Sequence, residues 1–151
     1  MDRPEVTIYT DGGSDPNPGP GGWAALLMMR RADGSLHTRE LSGNDPDTTN
    51  NRMELTAAIE ALHALTRPCS VTLHTDSEYL KNGITQWLYN WIANGWRTSK
   101  KEPVKNQDLW QALHAEIQRH EIKWEWVKGH AGNEYNEHVD RLVAAAREQL
   151  K

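Results

Sequence analysis

VTIYTDGGSDPNPGPGGW, running from Val6 to Trp23, is the stretch on which the fold turns. Its first part, Val6-Thr7-Ile8-Tyr9-Thr10, alternates branched and aromatic side chains, which predicts a strand ending at Asp11. From Gly12 to Gly22 glycine and proline crowd the chain, and no regular element is expected there. Trp23 to Arg30 reads as a second strand, Asp33-Gly34 as a hairpin turn, and Leu36 to Ser42 as a third strand. Gly43 to Thr49 then reads as a polar loop.

Downstream the period changes. Leu55, Ala58, Ile59, Leu62 and Leu65 fall on one face of a helix that Arg67-Pro68 stops. Val71 to Thr75 is a short strand ending at Asp76. A helical turn (Ser77 to Asn82), a Trp-rich helix (Thr85 to Ala93) and a basic loop follow. Asn106 to Arg119 has helical spacing, Ile122 to Val127 is a strand, Gly129 to Gly132 a loop, and Glu134 to about Gln149 the last helix. The expected fold is α/β: a mixed five-stranded sheet, with a three-strand antiparallel meander plus two parallel strands, flanked by helices. Residues 1–151 are expected to form a single domain with a basic protrusion at about 80–106.

Charge is unevenly placed. The chain carries a net −4, yet between Leu80 and Asn106 the basic residues Lys81, Arg97, Lys100, Lys101 and Lys105 face Glu102 alone. A basic segment on an acidic body points to a polyanionic partner. Trp87, Trp91 and Trp96 lie inside that segment and Trp110 just beyond it, whereas Trp23, Trp124 and Trp126 lie in strands and suit packing. The single cysteine, Cys69, excludes an intrachain disulfide and reads as a small buried apolar side chain. No basic-then-apolar leader follows Met1, and no apolar run approaches the roughly 20 residues of a membrane span, so a cytoplasmic protein is expected.

Four acids stand out by position: Asp11 and Asp76 at strand ends, Glu54 at the start of the long helix, and Asp140 on the last helix. Each has an ordinary structural explanation. Asp11 suits a turn, Glu54 suits the third position of a capping box opened by Asn51, Asp76 suits a helix N-cap, and Asp140 suits a surface ion pair with Arg141 or Arg147. Together they say more. Parallel neighbouring strands would bring Asp11 and Asp76 to one edge, where like charges ~4 Å apart repel by roughly 4 kcal/mol at an effective dielectric near 20. Cations relieve that repulsion, and oxygen ligands without a nearby Cys or His pair favour Mg²⁺ or Mn²⁺ over zinc.

Six segments, in order and spacing, carry a resemblance: TDGGSDPNPGPGGW from Thr10, TTNNRMEL from Thr48, TDSEY from Thr75, GITQW from Gly83, PVKNQDLW from Pro103 and WEWVKGHAGNEYNE from Trp124. Over essentially the whole chain the sequence resembles type 1 ribonuclease H in its bacterial, handle-bearing form. The resemblance implies an RNase H-like fold and an endonuclease that hydrolyses the RNA strand of RNA–DNA hybrids with two Mg²⁺ ions (Mn²⁺ a possible substitute), leaving 5′-phosphate and 3′-hydroxyl ends. It implies that Asp11 bridges both ions, that Asp140 helps hold the ion activating the water, and that Glu54 and Asp76 hold the ion at the leaving oxygen. His130, in the KGHAGN context, corresponds to the family's proton-shuttling histidine. Gly12, Asn17, Asn50, Asn51, Glu54 and Glu78 match positions around the RNA 2′-hydroxyls. Trp87, Trp91, Lys105, Asn106 and Trp110 match a handle against the DNA strand. Glu78 departs from the glutamine common in the bacterial family, and a carboxylate accepts but cannot donate as an amide does. Nothing in the sequence reports the oligomeric state, and a monomer without an obligate protein partner is the plain expectation. The alternatives are a catalytically silent nucleic-acid-binding module on the same fold, another polynucleotidyl transferase of the superfamily, and a paired-carboxylate glycosidase. The four acids argue against the first, and the TTNNRMEL and handle segments argue against the second. The third lacks sugar-binding aromatics outside the basic segment.

Overall fold

The structure is a computed structural model, and it describes residues 3–127 and 133–151. Three antiparallel strands come first: β1 (Glu5–Ser14), β2 (Gly19–Arg30) and β3 (Leu36–Thr48). Helix α1 (Asn50–His63) leads to β4 (Ser70–Thr75), and α2 (Glu78–Asn82) passes through a π-helical turn at Gly83–Trp87 into α3 (Leu88–Ala93). Helix α4 (Gln107–Arg119), β5 (Glu121–Trp126) and α5 (Glu134–Glu148) complete the order. The sheet runs β3-β2-β1-β4-β5, with β1 parallel to β4 and β4 parallel to β5. The expected mixed five-stranded sheet is therefore present.

Its strands are longer than the local sequence suggests. Gly12 to Gly22 is not irregular: β1 runs on through Gly12 and Gly13 to Ser14, and β2 begins at Gly19. The hairpin pairs Asp11 with Ala24, Gly12 with Trp23 and Ser14 with Gly21, leaving residues 15–18 as the turn. The Asp15–Pro16 and Asn17–Pro18 peptides are both cis. The glycines mark close approach of helices to a strand. A Cβ on Gly12 would lie 2.5 Å from the carbonyl carbon of Met53 in α1, and one on Gly22 would lie 2.8 Å from the Val143 carbonyl oxygen in α5. The expected loop at Gly43 to Thr49 is likewise a continuation of β3, carried by the β2 ladder to Thr48. The register shifts between the pairs Gly21–Asp45 and Gly19–Thr48, a span that takes in Pro46, which has no amide proton for the ladder.

Strand alternation splits the core in two. Val6, Ile8, Leu27, Val71 and Leu73 pack with Leu55, Ala58 and Leu62 of α1 and with Trp110 and Leu113 of α4. Tyr9, Ala24, Leu26 and Met28 point the other way and pack with Val139 and Val143 of α5. A fully buried leucine such as Leu55 or Leu62 contributes roughly 1.5–3 kcal/mol relative to exposure. Cys69 is buried as expected, its thiol 3.2 Å from the Arg67 carbonyl. Among the described residues no helix is long and apolar enough to cross a membrane.

Candidate active site

Strand pairing places the first two acids. The β1–β4 ladder ends at Tyr9 and His74, and two residues further along each chain come Asp11 and Asp76. There β4 has ended while β1 continues, so a gap opens at the C-terminal end of the parallel pair, where ligands gather on such sheets. Asp11 lies inside β1, paired across to Ala24, and is not a turn residue. Asp76 is not an N-cap either: Ser77 fills that role, its hydroxyl accepting from the Leu80 amide at 3.1 Å.

The Gly12 contact admits the first turns of α1, and with them Glu54. The helix is capped by Thr49, whose hydroxyl accepts from the Arg52 amide, so Glu54 is free of any capping box. Carboxylate oxygens of Asp11, Glu54 and Asp76 all lie within 4.8 Å of one another. Asp140 reaches the same place from α5 and shares a hydrogen bond with Asp11. The four acids line one open hollow of about 370 Å³, together with Gly12, Gly13, Asn50, Asn51, Ser77, Glu78, Tyr79 and Arg147.

Burial and like charge dominate the electrostatics. Burial, then Asp76 and Asp140, push the Asp11 carboxyl up to about 7 against the pull of the Gly12 amide. Burial, then Asp11 and Asp76, push Glu54 well above the usual carboxylate range, although Ser77 and the Gly12 amide favour its charged form. Glu54 is only 9% exposed, and its Oε1 is buried with no hydrogen-bond partner. An orphaned carboxylate oxygen beside other carboxylates is an unmet demand for positive charge. The three acids that meet are all-oxygen ligands, which suits a hard divalent cation.

The residues expected from the sequence to meet substrate form two groups. At the hairpin tip Asn50 Oδ1 accepts from the Ser14 amide at 2.6 Å, and Asn17 Oδ1 accepts from the Asn50 amide at 3.1 Å, tying the β1–β2 turn to the start of α1. Glu78 is exposed on the wall of the hollow. In the basic segment Trp87 and Trp91 stand 5.7 Å apart by ring centroid and line a second hollow of about 420 Å³ with Asn90, Asn94, Arg97, Thr98 and Ser99. Lys105 is exposed. Trp110 is fully buried, and its indole donates to the Tyr79 hydroxyl at 2.9 Å. It packs beneath Trp91, whose ring is 5.5 Å away, so it supports this surface and is not itself part of it. His130 lies outside the described residues. Sequence reasoning missed Ser77 and Tyr79 as wall residues, although both lie in the TDSEY segment. It treated Arg147 only as an ion-pair partner, yet a spacing of seven puts it on the Asp140 face of α5.

Fold and site together define an RNase H-like α/β protein with an acidic, cation-competent hollow at the edge of its parallel strands. The RNase H family model matches residues 3–148, and the chain belongs to that family, in its type 1 bacterial form. It is 59% identical over 149 residues to a ribonuclease H of Gluconobacter oxydans, covering 99% of this chain and 96% of that one. With a ribonuclease H of Hydrogenovibrio crunogenus it shares 58% over 146 residues, 97% of each chain. Among solved structures, LC9-RNase H1, described as a type 1 RNase H with the type 2 active-site motif, superposes with a TM-score of 0.88 at 31% identity, covering all of this chain and 75% of that one. LC11-RNase H1, solved in complex with an RNA/DNA hybrid, has the same fold at a TM-score of 0.70 and 24% identity, covering 96% of this chain and 98% of that one.

Proposed function

We propose that the chain is an endoribonuclease that hydrolyses the RNA strand of RNA–DNA hybrids, leaving 5′-phosphate and 3′-hydroxyl ends. The observation carrying this reading is the convergence of Asp11, Glu54 and Asp76, with Asp140 beside them, on one hollow where burial and mutual repulsion leave a carboxylate oxygen unsatisfied. These four residues would hold two divalent ions, Mg²⁺ with Mn²⁺ as a substitute. Bound there, the ions supply charge neutralisation for the attacking water and the leaving oxygen. The chain's own groups do the rest. Gly12, Asn17, Asn50, Asn51 and Glu78 surround the RNA strand and register its 2′-hydroxyls, the groups that separate RNA from DNA. Trp87, Trp91, Lys105 and Asn106 take the DNA strand by ring contact and phosphate pairing. His130 carries a proton away from the reacting phosphate. The protein works in the cytoplasm as a monomer on one domain with a basic handle.

The test is cleavage of an end-labelled RNA–DNA duplex with Mg²⁺, run beside Asp11→Asn, which keeps the shape of the side chain but removes its charge. The wild-type chain cuts the RNA strand, and the variant loses activity by several orders of magnitude while remaining folded. Equal cleavage by the two proteins overturns the site. A wild type that binds hybrid without cutting favours the silent module.

A further inference from the structure

Arg52 stands in the first turn of α1, two residues before Glu54. Its guanidinium forms a two-pronged pair with Asp108 of α4, Nη1 to Oδ1 at 3.0 Å and Nη2 to Oδ2 at 2.8 Å. Nη1 also donates to Asn106 Oδ1 at 3.2 Å. Asn106 sits at the head of α4 in the left-handed conformation, at φ 59°, which asparagine tolerates better than most residues. Its side chain does not cap the helix. Instead Nδ2 donates to the Tyr79 hydroxyl at 3.1 Å, which also accepts from the Trp110 indole. The Asn106 amide therefore has one sensible orientation, oxygen toward the guanidinium and nitrogen toward the phenol. Tyr79 in turn lines the acidic hollow and has its ring 5.9 Å from that of Trp87. A continuous chain of hydrogen bonds thus joins α1, the head of α4 and α2, and it starts at Asp108, which is not among the residues lining the acidic hollow.

We propose that Asp108 is a positioning residue, which by fixing Arg52 sets Asn106 and Tyr79 and so the seat of the DNA strand between the acidic hollow and the Trp87–Trp91 face. This rests on the reading of the substrate as a hybrid duplex. A planar guanidinium held at both nitrogens by one carboxylate has little freedom left, whereas one holding only a neutral amide is readily drawn off. Asp45 of β3 also acts on Arg52 by charge and is a rival partner once Asp108 is gone.

The sign of the effect separates positioning from charge. Asp108 is 64% exposed, and an exposed acid beside a polyanion site weakens binding by simple repulsion. On charge alone Asp108→Asn would lower KM for the hybrid. Positioning predicts the reverse: KM rises about three- to tenfold, kcat stays within about twofold, and Asp108→Glu restores most of the loss. Tyr79→Phe, which removes the hydroxyl and keeps the ring, produces a similar rise in KM, and the double variant Asp108→Asn/Tyr79→Phe is no worse than the poorer single one. The measurement is steady-state cleavage of a labelled RNA–DNA duplex in Mg²⁺ at fixed salt, with thermal midpoints taken for every variant. A KM that falls or stays constant in Asp108→Asn, or effects that multiply in the double variant, overturns the proposal while the hydrolase reading stands. A wild-type chain that does not cut the duplex overturns that reading instead.

Discussion

Asp11 is pulled in opposite directions by its surroundings, burial and neighbouring acids against the Gly12 amide. It is 7% exposed, hydrogen-bonded to Asp140, close to Asp76, and held up at about 7 mainly by burial. Its folded value lies above the ordinary carboxylate value of 3.8, so the folded chain binds this proton more tightly than the unfolded chain does. The associated stability is complete below the unfolded value and is lost as pH rises through about 7. In EDTA the thermal midpoint of the wild type should therefore fall between about pH 5.5 and about pH 8 relative to that of Asp11→Asn, whose amide has no proton to lose. Added Mg²⁺ should close the gap at the higher pH, because a cation replaces the proton. Parallel midpoint curves for the two proteins with chelator would show that Asp11 is not the strained group. The four acids could be picked out from the sequence because strand and helix limits are written in local pattern. What their ordinary roles were could not. Only the fold gives the caps to Thr49 and Ser77, so that neither Glu54 nor Asp76 serves as a capping residue. Trp110 misled for a related reason: its burial depends on Gly83, far away in the chain, where a Cβ would sit 1.9 Å from the indole.

At the scale of elements, the meeting of β1 and α1 decides whether the acids converge. The approach at Gly12 is backbone against backbone, with Met53 C, Met53 O and Glu54 N all within 2.7 Å of an added Cβ, so no side-chain rotation can relieve it. Gly12→Ala should push the start of α1 outward by roughly an ångström, since close-packed interiors give way only by moving whole elements. Glu54 moves with the helix, and a displacement of that size at a reacting centre can cost about a hundredfold in rate. The control is Gly34→Ala, in the β2–β3 turn, where nothing lies within 4 Å but φ is +88°. It should cost about 1 kcal/mol of stability and leave cleavage unchanged. Matched activities for the two variants would show that the helix can slide without consequence. The same contact explains why the sequence understates the strands. Gly12, Gly13, Gly21 and Gly22 read locally as breakers, whereas in the fold they are paired strand residues, Gly12 and Gly22 at helix crossings. The Trp-rich helix shows the same error in a helix: Gly83 looks like an interruption before Thr85, yet α2 runs through the π-helical turn into α3, and that glycine makes room for Trp110.

For the molecule as a whole, a net acidic chain holds one basic segment, and the two make different demands on a polyanion. The net charge of −4 disfavours non-specific association with nucleic acid, while Lys81, Arg97, Lys100, Lys101 and Lys105 concentrate attraction on the segment that bears Trp87 and Trp91. Lys105 is exposed and adjoins Asn106, at the head of the helix that Arg52 clamps, so its ammonium is well placed to meet a phosphate. Binding of a hybrid should then weaken linearly in log–log form as salt rises. Each ion-paired phosphate contributes about 0.9 to the slope by releasing condensed counterions. Lys105→Ala should flatten the slope by about one such contact, and Lys100→Ala by much less, because a diffuse charge steers without pairing. Titrations are best run with Asp11→Asn in Mg²⁺-free buffer, so that binding is read without cleavage and divalent competition does not distort the salt series. A slope that is the same with and without Lys105→Ala would place the phosphate contacts elsewhere on the surface. An unchanged slope in Lys105→Ala together with weaker binding in Trp87→Ala would leave ring contact as the basic segment's whole contribution.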